Sequence, residues 1–335
     1  MTIFSKASGV NDSVFGKSQE PIKMYIEEKE QAFKNMSIIP HVYMEEETTN
    51  FAEKFSYETS HDDFEPVGEN GAYPKSSLEV GYERVIEPEE WKNSFEITQT
   101  MIEDAKMGKA KRKADGFMNA YHRTREKFAT FIINNGASIS ANFGTKSKSF
   151  DISAADGKAL FATDHPSKTG KGSTQTNLYA NAFSYDALSY AEERMQNMKD
   201  DDGELLNLQP DTILIPNKAM LKKLVFDAVG SDGIPDTANN SYSFQCGRWN
   251  VVWSPYLSNP SAATSDVWYI LDSQYNKVNA GLVWLKRIEL SLKSYVDENT
   301  DANIWKGRAR FGAAPNDYRP ISASYVGSGG TDLTA

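Results

Sequence analysis

The stretch between residues 51 and 86 most constrains what this chain can fold into. Aromatic and aliphatic side chains recur there at even spacing in two runs, as they do in strands with one apolar face. The first run holds Phe51, Phe55 and Tyr57, and the second holds Leu78, Val80, Tyr82 and Ile86. Between the runs lie two prolines and the pair Asn70-Gly71, which are typical of a hairpin loop. The pattern predicts a long hairpin.

Such a hairpin cannot bury its apolar face by itself, because an isolated two-stranded ribbon is only marginally stable in water. We therefore expect the segment to lie on another surface, and a neighbouring molecule can supply one. The candidate intersubunit contacts on the hairpin are Phe51, Phe55, Tyr57, Leu78, Val80 and Tyr82 on the strands, together with Asn70 and Gly71 at the loop.

Helical and strand periods both occur along the remainder of the chain, which indicates an α+β fold. Residues 1–19 are polar and without a period, as in a mobile arm, and residues 20–35 have the spacing of a short amphipathic helix. A long helix is predicted over 100–134, where apolar side chains return at steps of three and four residues.

The second half of the chain predicts two more helices and a series of strands. Ser184 is placed to cap one helix and Asn217 the other. The motif DTILIP (211–216) indicates a buried strand, and the glycine-rich tail 327–335 is predicted to be loose. Further strands are predicted over 248–253, 267–271, 281–285, 287–293, 305–311 and 321–325.

Charge is distributed unevenly along this acidic chain, whose formal net charge is -10. Acids greatly outnumber bases from residue 45 to 104, and the sign reverses from 106 to 127. The two segments could pair within a subunit or between copies, or they could be solvated faces. The basic cluster could also touch DNA nonspecifically. Its members, which are further candidate contacts, are Lys109, Lys111, Arg112 and Lys113.

The candidate enzyme motifs do not have the residue spacing that their chemistry requires. The run GKGST (170–174) lacks the leading glycine of G-x-x-x-x-G-K-[ST], and Gly172 rather than Ser or Thr follows Lys171. His165 is better explained as a histidine closing a turn, and the acids of MKDDDGEL (198–205) as the end of a helix, than as a catalytic or calcium site. We expect no enzyme activity, no cofactor and no metal.

Other features narrow the class of protein further. A single cysteine, Cys246, excludes an internal disulfide framework and a zinc cluster of cysteines. The chain has no apolar run of about 18 residues, so no membrane span is expected. What remains is a loose arm, a thin hairpin and a long helix, which together suggest a subunit that is complete only among its copies.

The order of these parts resembles the major capsid proteins of tailed bacteriophages, which have the Johnson fold, and specifically the Mu-like head-subunit group. Similar stretches occur in the same order over roughly residues 45–325. They are DGKALFATDHP (156–166), Asn177-Leu178, FSYDALSYAEERMQNMKDDDGELL (183–206), PDTILIPNKAMLKKL (210–224), WNVVWSPYL (249–257), DVWYILD (266–272) and ARFGAAPNDYRPISAS (309–324).

The resemblance implies a division of the chain. It assigns 1–44 to an N-terminal arm, 45–97 to an extended E-loop hairpin lying over an adjacent subunit, and 98–184 to a peripheral domain with a long spine helix. It assigns 185–285 to an axial domain, and 286–335 to the return strands of the peripheral domain and the tail.

The resemblance also implies a function. The subunits would assemble as hexamers and pentamers into an icosahedral shell around double-stranded DNA, in the bacterial host cytoplasm, and would become part of the virion. Portal, scaffold and decoration proteins are further expected partners. Two alternatives remain at this point: an encapsulin-like compartment with the same fold, and a nucleotide-binding hydrolase built around 170–174.

Overall fold

The computed structural model describes most of the chain from residue 37 onward. The described ranges are 37–58, 64–68, 71–75, 80–103, 107–145, 147–230, 243–258, 266–297 and 301–334. The predicted arm (1–19), the predicted amphipathic helix (20–35), Asn70 and Leu78 therefore lie outside the described residues.

A four-stranded sheet in the order β1-β11-β12-β4 carries the long helix. Its strands are β1 (Met44–Glu47), β4 (Glu89–Ile97), β11 (Leu282–Asp297) and β12 (Ala302–Pro315). The sequence predicted separate strands over 281–285 and 287–293, and this was wrong, because β11 is one continuous strand. Its pairing with β12 shifts register between Lys286 and Ser291, and this irregularity accounts for the break in the apolar alternation.

The predicted long helix is confirmed over most of its length. Helix α3 (Met107–Asn134) has 28 residues and follows the short helix α2 (Gln99–Glu103). At about 1.5 Å per residue α3 is roughly 42 Å long. Its apolar stripe is buried through Phe117, Phe128 and Phe131. A Cβ atom on Gly307 of β12 would lie 2.3 Å from Phe117 Cζ, so this glycine permits close helix–sheet packing.

A second sheet has five strands in the order β7-β13-β10-β8-β9. Its strands are β7 (Leu178–Tyr179), β8 (Thr212–Pro216), β9 (Asn250–Ser254), β10 (Trp268–Leu271) and β13 (Ile321–Ser324). The predicted buried strand DTILIP is β8, all of whose residues are buried. Because β7 and β13 are members, this sheet extends beyond the range 185–285 on both sides.

Three helices accompany the second sheet: α4 (Tyr185–Gln196), α5 (Ala219–Val229) and α6 (Ser273–Val278). Ser184 caps α4 as predicted, its hydroxyl accepting a hydrogen bond from Ala187 N at 3.0 Å. The predicted cap of α5 was wrong. Asn217 still donates its backbone N–H to Ser254 O at 3.2 Å beside β9, so the helix begins later, with Lys218 as its N-cap residue.

The C-terminal tail is docked on the second sheet, which corrects the prediction of a loose segment. Thr331 N donates to Leu178 O and Ala180 N donates to Thr331 O, each at 3.0 Å. Leu333 is 1% exposed and donates its N–H to Asn181 Oδ1 at 2.9 Å. One apolar anchor and strand-like hydrogen bonds thus outweigh the glycine content that suggested mobility.

Two hairpins and a short helix complete the described structure. The hairpins are β2 (Glu53–Glu58) with β3 (Val80–Ile86), and β5 (Ser140–Phe143) with β6 (Lys148–Asp151). The helix is α1 (Ile39–Val42), and Ile39, Val42 and Tyr43 belong to the main core together with residues of α3 and both sheets. Residues 38–43, which the resemblance assigned to the arm, are therefore part of the body.

Candidate functional site

The predicted hairpin forms, and its root is packed against the body of its own subunit. Strands β2 and β3 pair antiparallel, with Glu53 opposite Ile86. Ile86 is buried in a small apolar cluster, and Phe55 packs against that cluster from the side. Tyr57 is also buried, and a Cβ atom on Gly81 would lie 2.3 Å from Tyr57 Cε2. Only glycine at position 81 therefore leaves room for this ring.

A buried ionic cluster lies beneath the Tyr57 ring. The guanidinium carbon of Arg319 is 4.8 Å from the ring centroid, a cation–π distance. Arg319 Nη2 lies 3.0 Å from Asp201 Oδ1, and Arg319 Nη1 lies 3.2 Å from Asp317 Oδ1. All three charged side chains are at most 1% exposed. The hairpin root therefore sits on a buried cation whose position is fixed by carboxylates from two distant parts of the chain.

Electrostatics keep Arg319 charged. Burial by itself would lower the pKa of Arg319, but Asp317 and the neighbouring tyrosines hold that pKa well above its usual value. Burial raises the pKa of Tyr57 above its ordinary range, so the phenol stays neutral over the cation. Arg319 Nε also donates to Lys199 O at 3.1 Å, so all three nitrogens of the guanidinium have an acceptor.

Two more cations attach the hairpin to the body. Lys168 Nζ donates to the carbonyls of Val80 and Gly81 at 2.8 and 2.6 Å. Further along β3, Arg84 Nη1 donates to Ser153 Oγ at 2.9 Å and Arg84 Nη2 donates to Asp151 O at 2.8 Å. Burial lowers the pKa of Arg84, and Asp151 opposes this effect. The hairpin is thus oriented by polar contacts from three loops.

At the far end of the hairpin, the described residues 64–68 and 71–75 make no such contacts with the body. Phe64 is 104% exposed and Tyr73 is 93% exposed, and Val67 is also exposed. Large apolar side chains in this state are unfavourable in water and typically mark an interaction surface when they cluster. The root is fixed to its own subunit while the tip presents apolar side chains outward.

The loop GKGST (170–174) is held in place by Asp201 and Asp202. The hydroxyls of Ser167 and Thr169 donate to Asp201 O, the former at 2.7 Å, and Gly172 N donates to the same carbonyl at 3.2 Å. Lys171 Nζ pairs with Asp202 Oδ1 at 2.9 Å. These donors already have protein acceptors, so the loop does not present the set of free N–H groups that holds a phosphate.

His165 is a structural residue, as the sequence indicated. It is fully buried, with Nδ1 2.6 Å from Asp156 Oδ2 and Nε2 3.2 Å from Asn177 Oδ1. Its ring stacks on Tyr318 with centroids 3.6 Å apart. Because both ring nitrogens are engaged and no solvent reaches them, His165 fastens the loop to the body rather than acting on a substrate.

Within the described ranges, no group of three or more His, Cys, Asp or Glu side chains is arranged to bind a metal ion. None of the described helices is both long enough and apolar enough to cross a membrane.

Comparison with known proteins decides the family. The family model described as "Phage capsid protein" matches residues 81–323, which is well over half of the chain. This chain belongs to the phage capsid protein family. It is therefore a structural subunit of a phage shell and not an enzyme, and it is part of the virion. The encapsulin-like and hydrolase alternatives are not favoured, and membership of the Mu-like group is not confirmed.

Solved phage capsids share the fold of this capsid protein at low sequence identity. The capsid of cyanophage P-SCSP1u is 12% identical with a TM-score of 0.53, over 87% of this chain and 88% of that one. A chain of Mycobacterium phage Patience is 13% identical with a TM-score of 0.52, over 98% and 92%. A chain of Microbacterium phage Oxtober96 is 11% identical with a TM-score of 0.51, over 86% and 90%. These similarities confirm the Johnson-type α+β fold. No curated protein sequence matches the chain.

The candidate contact residues of this capsid protein fall into three environments on the hairpin. Tyr57 is covered by its own subunit, so its side chain anchors the root and is not free for a neighbour. Phe55 and Tyr82 are half-buried at the root. The exposed candidates on the described part of the hairpin are Phe51, Gly71 and Val80.

The basic candidates lie on the first turns of α3. Lys109, Lys111 and Arg112 are exposed, and Lys113 is half-buried. Arg112 Nε donates to Gly108 O at 3.1 Å, and Lys113 Nζ donates to Glu96 O at 2.8 Å at the end of β4. Arg112 and Lys113 thus each spend at least one donor on their own subunit.

Sequence reasoning missed the residues that hold the hairpin root. Arg319 lay within a stretch that was used only for its resemblance, Lys168 fell just after another such stretch, and Asp201 was assigned to a helix-ending turn. One signal could have pointed to Arg319. It is the single cation of NDYRPISAS (316–324), with Asp317 two residues before it, and a cation is expensive to bury without such a partner.

Proposed function

We propose that this major capsid protein assembles as hexamers and pentamers into an icosahedral shell that encloses double-stranded DNA. The observation that carries the proposal is the hairpin, whose root is fixed by Arg319 and Lys168 while Phe64 and Tyr73 at its tip are exposed. An apolar tip on a fixed root suits a surface of another subunit, because ordering the root in advance reduces the entropy lost on association.

Contacts between subunits would involve the two surfaces that the sequence singled out. The hairpin, with Phe51, Val80 and the loop at Asn70 and Gly71, would lie over an adjacent subunit. The basic cluster from Lys109 to Lys113 would face acidic residues of a neighbour or the packaged DNA. Each contact is weak, and repetition over many subunits supplies the stability of the shell.

The division into parts is a proposal of the same kind. Apart from residues 38–43, which pack in the body, residues 1–44 would form an arm, 45–97 the E-loop, 98–184 together with 286–335 the peripheral domain and tail, and 185–285 the axial domain. Assembly would take place in the bacterial host cytoplasm. Portal, scaffold and decoration proteins would be partners, and DNA would be held without sequence specificity, as suits a chain of net charge -10.

Electron microscopy of the expressed full chain tests the proposal. Negative-stain images should show closed shells, and a monomer or small dimer that persists at every salt concentration would refute shell formation. Deleting residues 68–73 should leave a folded subunit that fails to close shells. A matched variant that replaces 68–73 with six Gly and Ser residues separates loop length from side-chain contacts, and normal shells from both variants would show that the tip is dispensable.

A further inference from the structure

The face of the four-stranded sheet that points away from α3 carries an open, basic groove. It has a volume of about 610 Å³ and lies across β4, β12 and β11. Its lining combines four cations with small polar groups: Lys92, Lys293, Lys306, Arg308, Asn93, Ser94, Ser291 and Gly307. No carboxylate is among these lining residues. The opposite face of the same strands is covered by α3 through Phe117.

The cations of this basic groove are only partly neutralised. Glu90, beside the groove, pairs with Lys92 Nζ at 2.7 Å and with Arg308 Nε. Among the described residues, Lys293 and Lys306 have no carboxylate partner, although Lys306 Nζ lies 4.0 Å from the ring centroid of Tyr295. Four cations beside one carboxylate give a clear positive excess on a chain whose net charge is -10.

The hairpin tip has the complementary charge. Between residues 61 and 75 the sequence has the acids Asp62, Asp63, Glu65 and Glu69 against one lysine, Lys75, and no arginine. Phe64 and Tyr73, in the same segment, are almost fully exposed in their own subunit. The tip is therefore not seated in the groove of its own chain.

We propose that the basic groove is the seat of the acidic hairpin tip of a second copy of this chain. The inference rests on the proposed shell function and assigns a specific receiving surface to the hairpin. Carboxylates of the tip pair with Lys293 and Lys306, and the exposed aromatic rings of the tip cover the aliphatic stems of the groove lysines. A phosphate backbone of nucleic acid is the competing occupant.

Charge pairing of this kind orients the contact and makes it dependent on salt. Exposed ion pairs contribute only about 0.2–1 kcal/mol each, and salt weakens them within a Debye length of about 8 Å at physiological ionic strength. Several pairs per subunit, repeated around a shell, are still sufficient to select this surface over others.

Charge reversal with rescue tests the seat in the full-length protein. The groove variant is Lys293→Glu with Lys306→Glu, the tip variant is Asp63→Lys with Glu65→Lys, and the rescue variant combines all four. The matched control reverses two exposed lysines elsewhere, Lys223→Glu with Lys277→Glu. Shell yield is measured by sedimentation and negative-stain microscopy over a range of protein and salt concentrations.

We expect the groove and tip variants each to need about tenfold more protein than the control to form shells, which corresponds to about 1.4 kcal/mol per subunit. The rescue variant should regain most of that loss. A groove variant that assembles like the control overturns the seat, and so does a rescue variant no better than either parent reversal. Normal shells from the groove variant with reduced DNA retention would assign the groove to nucleic acid instead.

A second measurement does not depend on closed shells. A carbodiimide joins carboxylates to lysines that are in direct contact, and mass spectrometry of whatever oligomers form should find Glu65 linked to Lys293 or Lys306. If the parent forms no shells, the proposed function fails, but the crosslink still supports the seat. Oligomers without that crosslink overturn the seat while leaving shell formation intact.

Discussion

Arg319 is the residue whose replacement should most disturb the hairpin root. Arg319→Met preserves much of the side-chain volume but removes the cation between Asp201 and Asp317, both of which are at most 1% exposed. Two carboxylates would then be buried without a counter-charge. Breaking a buried ion pair from one side typically costs about 3–5 kcal/mol, because the remaining charge keeps its desolvation penalty.

The structure places the expected loss at the lower end of that range. Asp317 Oδ2 still accepts from Tyr275 Oη at 3.2 Å, and Asp201 Oδ1 still accepts from Lys168 N at 3.2 Å. These hydrogen bonds stabilise the orphaned carboxylates in part. Loss of the cation–π contact with Tyr57 adds about 1 kcal/mol. We expect about 4 kcal/mol in total, out of the roughly 5–15 kcal/mol that is typical of a folded domain.

Urea unfolding of the dissociated subunit, followed by the fluorescence of its six tryptophans, measures this loss. The control is Arg308→Met, because Arg308 is exposed and its pairing with Glu90 should contribute under about 1 kcal/mol. The triple variant Arg319→Met, Asp201→Asn, Asp317→Asn removes the charges together and should recover more than half of the loss. A single variant no less stable than the control, or a triple variant no better than the single one, would refute this account of the root.

Two further predictions concern the attachment of neighbouring segments. Gly81→Ala should displace the Tyr57 ring and destabilise the root by about 1–3 kcal/mol, with faster amide exchange in β2 and β3, whereas Gly68→Ala, with open space around it, should change neither. Burial raises the pKa of Glu126, whose carboxylate accepts from Ile38 N at 3.3 Å, so its contribution to stability is complete at low pH and is lost as pH rises through the raised pKa. Relative to the parent, Glu126→Gln should therefore gain stability from pH 4 to pH 8 in urea titrations, and a constant difference would contradict this.

The regular elements were largely predictable because their signals are local. The stripe of α3, the cap at Ser184 and the buried strand β8 each follow from spacing within a few residues. Predictions failed where a distant partner decides the outcome. The tail looked loose because its glycines are a local feature, whereas Leu333 and Thr331 dock on residues about 150 positions earlier, beside Leu178.

The hairpin, too, was predictable where neighbouring residues decide its structure and not where a distant residue does. Alternating side chains predicted its two strands, and the thinness of a ribbon predicted that something must cover it. Sequence alone could not show that the cover for Tyr57 is Arg319, because 262 positions separate the two residues along the chain. The cover for Tyr57 and Ile86 comes from the same subunit, whereas Phe64 and Tyr73 at the tip are left uncovered by it.

This division has a physical reason. An apolar seat for the root would hold the hairpin equally well over a range of angles, since burial of apolar area is non-directional. A guanidinium fixed by Asp201 and Asp317, and carbonyls of Val80 and Gly81 fixed by Lys168, have preferred directions. Because these contacts hold the strand pair at its Tyr57 and Val80 end, they set the direction in which the chain leaves toward the tip. Directional polar contacts at the root are thus what a subunit needs if its tip must meet a defined surface on the next copy.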